Sequence, residues 1–413
     1  MKKRGMLFVT NFHFQKDGNG GHQRTYFLIK ELALHFDLSV ISPYTHQSPA
    51  VKDIDAQFIE NKGVKAQKKL QTTIIGRVIA KFYSIVAKVS NQPNDFVRNY
   101  SLGQLQKQID TFGKNSNHNN TRMIVFDTRR TVVPLDRTRW DTRILNAHNF
   151  DFEIIEQRLS QLLQQPQTDL SELQMHKNEM LHIKQFEFDI DTHFDEIWTC
   201  SESDIEKFKF HNPNTSVNFE CLPNGSDTDT RTMQPMSHNY KHLLFVGSLN
   251  YFPNIEGLQW FVDTVFSKLP SDYTLNIVGK SPDPQDFRFL ESYTNIHLIG
   301  EVDDVAPYYE AHDAVIVPIL EGSGTRLKIL EAFSYGKLVL STPKGIEGIM
   351  ATDGEHYIEF ENYHDFDIKF LQKSNSLTFE TIRKESRQFV EDYYSWKHIV
   401  SDYSQKIYDL NYG

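Results

Sequence analysis

Residues Ala314 to Ser341 read AVIVPILEGSGTRLKILEAFSYGKLVLS. The apolar run Ala314–Val317 suits a strand buried on both faces, and Leu338–Ser341 is a second such run. Between them the glycines of Glu321-Gly322-Ser323-Gly324 break the pattern, and Thr325–Tyr335 reads as a helix. Strand, glycine turn, helix and strand make one βαβ unit, the connection that parallel strands require.

Outward from this unit the same alternation continues. Upstream lie the strand candidates His242–Val246, Thr274–Val278 and Ile296–Ile299, with helices near Asn254–Lys268, Pro284–Ser292 and Val302–Ala311. Five strands with four helices complete one doubly wound α/β domain. The first half repeats the pattern, with strands at Met6–Thr10, Leu38–Ile41, Met123–Phe126, Ile144–Ala147, Ile197–Cys200 and Val217–Leu222. A turn-rich stretch without apolar periodicity, Pro223 to Asn239, predicts the hinge, giving domains at 1–228 and 229–394. Helices are expected around Asp365–Lys373, Phe379–Tyr394 and Trp396–Tyr408, and the last should cross back to cover the first domain, so that 395–413 pack there.

A chain of 413 residues exceeds what one core usually supports, and 39% hydrophobic with 24% charged residues is a globular composition. The net charge of −10 argues against a nucleic-acid partner held by the whole surface. Cys200 and Cys221 are a meagre disulfide framework and read as buried thiols in a reducing cytoplasm. The basic start Met1 to Arg4 is followed by an apolar run too short for an export signal, and no run is long enough to span a membrane.

Two glycine turns lead into helix starts. Asp17-Gly18-Asn19-Gly20-Gly21 precedes a helix beginning near His22, which fits either a diphosphate cradle or a flexible turn. Arg24, one turn on, serves either the same anion or a surface cap. In the segment Gly322 to Glu331, helix-start amides with Ser323, Thr325, Arg326 and Lys328 suit phosphate charge, and the Glu331 carboxylate suits two adjacent hydroxyls such as a ribose offers. The plainer alternative is a set of solvated helix charges.

In order and spacing, Gly20-Gly21, Ser201-Glu202-Ser203-Asp204, Pro223-Asn224-Gly225-Ser226-Asp227, Phe245-Val246-Gly247-Ser248, Asn276-Ile277-Val278-Gly279, Gly300-Glu301-Val302 and Gly322 to Ala332 resemble a known family. This is the large retaining family-4-like group, the group 1 glycosyl transferases, typified by bacterial polysaccharide and lipid-sugar transferases. The resemblance implies the GT-B fold, two Rossmann-like α/β domains facing each other across a cleft. It implies sugar transfer from a nucleotide-diphosphate donor to a glycan or lipid-linked acceptor in cell-envelope or exopolysaccharide synthesis, with retention. By the same resemblance Glu331 holds the ribose, and the loop of Gly322, Ser323, Gly324 and Thr325 touches the diphosphate and sugar. Gly247, Ser248, Gly300 and Val302 border the donor, Gly20 and Gly21 face it across the cleft, and His148 lies near the sugar and acceptor. His148, Arg326 and Lys328 are the candidate catalytic residues.

Two positions depart from the family pattern. Ser323 stands where many members carry a first glutamate, with Glu321 as a substitute nearby. Gly247 to Asn254 lacks the usual Arg and Lys, which shifts diphosphate stabilisation to Arg326, Lys328 and backbone amides. No cofactor or metal is expected: Asp189-Ile190-Asp191 and Asp227-Thr228-Asp229 resemble metal-binding triplets of the other glycosyltransferase fold, outside its context.

From Asn61 to Asn94 the chain carries seven Lys or Arg and no acid. Ile74, Ile75, Val78, Ile79, Phe82, Ile85, Val86 and Val89 share one helical face, with Arg77, Lys81 and Lys88 on another. That pattern fits peripheral contact of residues 62–88 with anionic lipid at the inner face of the cell membrane, or an ordinary helix packed on the first sheet. Two other functions fit the same architecture, a nucleotide-sugar epimerase and a degenerate binding subunit.

Overall fold

The computed structural model describes residues 3–11, 13–16, 20–73, 77–79, 81, 96–114, 121–164, 170–233, 240–280, 282–321, 327–373 and 377–409. The chain divides into two compact units, Met1–Leu222 with Tyr403–Gly413, and Pro223–Asp402.

The first unit holds a parallel sheet in the order β3-β2-β1-β4-β5-β6-β7. Its strands are β1 (Gly5–Val9), β2 (Asp37–Ser42), β3 (Gln57–Glu60), β4 (Thr121–Asp127), β5 (Thr142–Asn146), β6 (Glu196–Thr199) and β7 (Asn218–Cys221). Every residue of β1 is buried, as a central strand covered on both faces must be. Helices α1 (Gly20–His35), α2 (Lys62–Thr72), α3 (Phe96–Lys114), α4 (Asp151–Gln164), α5 (Leu170–Glu187) and α6 (Glu202–His211) surround it. Asn61 caps α2 by accepting from the Gly63 and Val64 amides, while its own Nδ2 donates to Thr10 O at 2.8 Å, tying α2 to the end of β1.

The second unit has the order β10-β9-β8-β11-β12-β13. These strands are β8 (His242–Val246), β9 (Thr274–Val278), β10 (Ile296–Gly300), β11 (Ala314–Val317), β12 (Leu338–Ser341) and β13 (Ile358–Glu359). Alternate residues feed opposite cores: Leu243, Phe245, Ala314 and Ile316 join one cluster, and Leu244, Val246, Val315 and Val317 the other. Helix α7 (Phe252–Thr264) packs Leu258, Phe261 and Val262 into the first, whereas α9 (Leu327–Ser334) packs Ile329, Leu330 and Phe333 into the second. Between them in sequence lies α8 (Ala306–Ala311). The strand order therefore reverses between β8 and β11, and the helices that follow these two strands cover opposite faces.

Several expectations are revised. The division falls after Leu222, not 228, because the supposed hinge is bound to the second unit. Ser226 bridges Ser395, and Arg387 on α10 (Leu377–Tyr393) donates to Thr228 O at 2.8 Å and Arg231 O at 2.9 Å. The second boundary lies at Asp402/Tyr403, inside helix α11 (Trp396–Asp409) rather than at 394. Within the first unit Tyr403 donates to Glu196 Oε1 at 2.8 Å and Tyr408 to His35 O at 2.8 Å, so the end of α11 covers that unit as expected. β3 and β13 were not anticipated, and Pro284–Leu290 is a 3-10 segment rather than an α-helix. The basic stripe lies outside the described residues except for Lys62–Thr73, Arg77–Ile79 and Lys81, where Val78 is 63% exposed.

Among the described residues no helix is long and apolar enough to cross a membrane, and Cys200, buried, and Cys221, half-buried, stand outside any disulfide.

Candidate active site

In an open parallel sheet the loops after the two strands at the order reversal diverge and leave a crevice at the carboxyl ends, the usual ligand position. In the second unit that crevice lies beyond β8 and β11. Backbone crowding shapes its rim: a Cβ on Gly279 would lie 1.7 Å from Gly247 O, so only glycine fits. Gly247 N donates to Val278 O at 3.0 Å, and Gly279 N to Gly300 O at 2.8 Å, with Gly300 at φ 79°. The loops after β8, β9 and β10 are thus stitched together at the edge.

Lys328, in the first turn of α9, reaches across the reversal. Its Nζ donates to Asn254 Oδ1 at 2.8 Å and sits 4.4 Å from the centroid of the Phe245 ring. Asn254 Nδ2 donates in turn to Ser248 O at 2.7 Å. Lysine has only donors, so the Asn254 oxygen faces it and the amide nitrogen faces the carbonyl. A Cβ on Gly247 would stand 2.7 Å from Lys328 Nζ, which makes that glycine the seat of the ammonium group. An ammonium beside a helix N-terminus and a glycine edge suits phosphate oxygens. Glu321 is exposed at the end of the loop after β11, and Val302 packs on the core beneath α9. Gly322, Ser323, Gly324, Thr325 and Arg326 lie outside the described residues, as do Asp17, Gly18 and Asn19.

Glu331, one turn beyond Lys328, is held at both oxygens. Arg231 Nη2 donates to Oε1 at 2.5 Å, and the Tyr309 hydroxyl donates to Oε2 at 3.1 Å. Burial, reinforced by the Glu331 charge, pushes the Tyr309 phenol well above its usual range, so it remains a donor. Tyr309 stacks on Tyr335 with centroids 4.8 Å apart, and Arg231 lies 5.4 Å over the Tyr335 ring.

In the first unit the order reverses between β1 and β4, and polar groups gather at the strand ends. Asp127, fully buried at the end of β4, accepts from Thr25 Oγ1 at 2.9 Å and Asn146 Nδ2 at 2.8 Å, with His148 Nε2 at 2.9 Å. Asn146 Nδ2 also lies 3.2 Å from His148 Nε2. The Asp127 carboxylate only accepts, so the His148 tautomer with its proton on Nε2 is the one that completes this contact. The next residue, Thr128, has φ 71° and ψ 155°, a conformation costly for a β-branched residue. Gly20 and Gly21 open α1, half-buried. Arg24 corrects its expected role: it is 1% exposed, its Nε and Nη2 on Asn146 Oδ1 and its Nη1 on Leu222 O at 2.7 Å, so it anchors the strand ends instead of capping a surface or waiting for an anion. Asp127, Asn254, Arg231 and Tyr309 were not singled out in the sequence.

Two units, each a parallel sheet wrapped by helices with polar groups at the order reversal, are the GT-B architecture. Residues 240–370, within the second unit, match the family model described as Glycosyl transferases group 1. Sucrose-phosphate synthase from Thermosynechococcus elongatus superposes with a TM-score of 0.63 at 13% identity, over 99% of both chains. The Anabaena protein HepE in complex with UDP and glucose gives 0.59 at 12% identity, over 98% of this chain and 99% of that one. An uncharacterized 44.6 kDa protein in the cps region of Klebsiella pneumoniae is 23% identical over 258 residues, 55% of this chain and 66% of that protein's length.

Proposed function

We propose that this chain transfers a sugar from a nucleoside-diphosphate donor to a glycan or lipid-linked acceptor during polysaccharide synthesis, with retention at the anomeric carbon. The observation that carries the reading is the placement of Lys328 and Glu331 one turn apart on α9, beside the glycine-edged reversal of β8 and β11. The Anabaena complex with UDP and glucose and the cps-region setting of the Klebsiella relative support donor class and process.

As the bond from anomeric carbon to diphosphate oxygen breaks, negative charge grows on the phosphate. In this reading Lys328, with Arg326, offsets that charge, so no metal is needed; Gly322 to Thr325, Glu321, Gly247, Ser248, Gly300 and Val302 line the donor, and Glu331 takes the ribose hydroxyls. His148 is proposed to act on the sugar, and Gly20 and Gly21 to bind substrate. The test is release of UDP from radiolabelled UDP-glucose and other nucleotide sugars by the purified chain, with product stereochemistry read by NMR. Wild-type turnover in both Lys328→Ala and Glu331→Ala would remove this site from the proposal, and an isomerised donor without transfer would favour an epimerase.

The acceptor reading extends to the membrane through the basic residues 62–88. Binding to vesicles rich in anionic lipid, abolished when Arg77, Lys81 and Lys88 become Glu, is the expected result. Equal binding to neutral vesicles would count against contact at the inner membrane face.

A further inference from the structure

Carboxylates that pair with a buried arginine seldom add stability, because desolvation of both charges offsets their attraction. The Arg231–Glu331 pair, with side chains 11% and 15% exposed, therefore asks for another role. Arg231 is itself firmly placed. Its Nη1 donates to Ser226 Oγ at 2.7 Å and lies 3.4 Å from Ser334 Oγ, its guanidinium lies over Tyr335, and its carbonyl accepts from Arg387. On the other side Tyr309, fully buried and stacked on Tyr335, donates to the second carboxylate oxygen. Neutralising a charge would need only one of these donors. Two donors, one per oxygen, fix the plane of the carboxylate.

A carboxylate has about four acceptor positions. Arg231 and Tyr309 take one on each oxygen, so each oxygen keeps one more, matched in number to a vicinal diol. We propose that Arg231 and Tyr309 are positioning residues of the donor site, holding Glu331 in the one orientation that accepts both hydroxyls of a ribose. This rests on the reading of Glu331 given above. It makes the segment after Leu222, which carries Arg231, part of the donor site's specificity for ribonucleotides over deoxyribonucleotides.

Calorimetric titration of the full chain with UDP, GDP and ADP and their 2′-deoxy forms tests it. The wild type should bind the ribonucleotide about tenfold more tightly than its 2′-deoxy form, one hydroxyl-to-carboxylate bond's worth. In Arg231→Gln and in Tyr309→Phe that preference should collapse toward onefold, while Arg231→Lys retains part of it. Glu331→Gln and the double variant Arg231→Gln/Glu331→Gln should bind alike, because Arg231 acts through Glu331. Should Arg231→Gln fail to fold, Tyr309→Phe, which keeps the stacked ring, carries the same comparison. An intact preference in Arg231→Gln or Tyr309→Phe beside a lost one in Glu331→Gln would overturn the positioning role alone. Losses that multiply in the double variant would also overturn it, pointing to direct contact of Arg231 with the diphosphate. A preference unchanged in Glu331→Gln, or no binding of any of these nucleotides, would overturn the ribose reading and the inference with it.

Discussion

Asp127 collects Thr25, Asn146 and His148 at the end of β4, so the orientation of the imidazole depends on a residue too deep to meet substrate itself. Replacing it with Asn removes the carboxylate charge against which the imidazole is placed. The expected result is a fall in kcat of about a hundredfold with little change in nucleotide affinity; equal losses in both would mean that the network only supports the fold. Gly247→Ala makes a sharper test of the second unit, since its methyl would claim the place of Lys328 Nζ. UDP affinity should drop by about tenfold to a hundredfold, as in Lys328→Met, and a variant that binds like wild type would dissociate Lys328 from the diphosphate. Lys328, Glu331 and His148 were legible in the sequence because each stands in a short motif after a strand. Their partners were not, being 74 residues away for Asn254, 100 and 22 for Arg231 and Tyr309, and 21 for Asp127, brought close only by strand order.

Glu187, at the far end of α5, caps the start of helix α4 by accepting the Asp151 and Phe152 amides at 2.9 Å each. Burial, with the Asp151 charge adding to it, pushes the Glu187 carboxyl from 4.5 to about 8. A folded value above the unfolded one favours the protonated form. The stability this contributes is complete below pH 4.5 and is lost as pH rises toward 8. Glu187→Gln should flatten that decline in the melting temperature, at a constant cost of about 1 kcal/mol for one weakened amide bond; a slope identical to wild type would mean that Glu187 is ionised throughout. The elements themselves show where periodicity suffices. Continuous apolar runs gave away β1, β8, β11 and β12, whereas β3, with only Phe58 buried between polar ends, and the two-residue β13 are edge strands with no pattern to read. Helix α8 starts later than expected, at Ala306, with Pro307 in its first turn, a position that proline's fixed φ favours.

At the scale of the whole chain, the first unit is finished by residues that arrive last. Tyr403 and Ile407 are 3% and 8% exposed, and Tyr403 meets both Glu196 and the Trp198 ring, at 4.9 Å. The sequence anticipated this return from the apolar stripe of the last helix alone, although the boundary inside that helix could not be read, because one continuous helix serves two cores. Ending the chain after Asp402 should therefore destabilise the first unit by several kcal/mol, lowering its calorimetric transition by about 10 °C. UDP at about a hundred times its Kd should raise the other transition by roughly 2.7 kcal/mol, equally in the full and shortened chains, because the groups proposed to hold the nucleotide, Lys328, Glu331, Arg231 and Tyr309, all belong to the second unit. A shortened chain that keeps its first transition but loses the nucleotide shift would place the end of α11 with the donor-binding unit instead, and would require the division at Tyr403 to be redrawn.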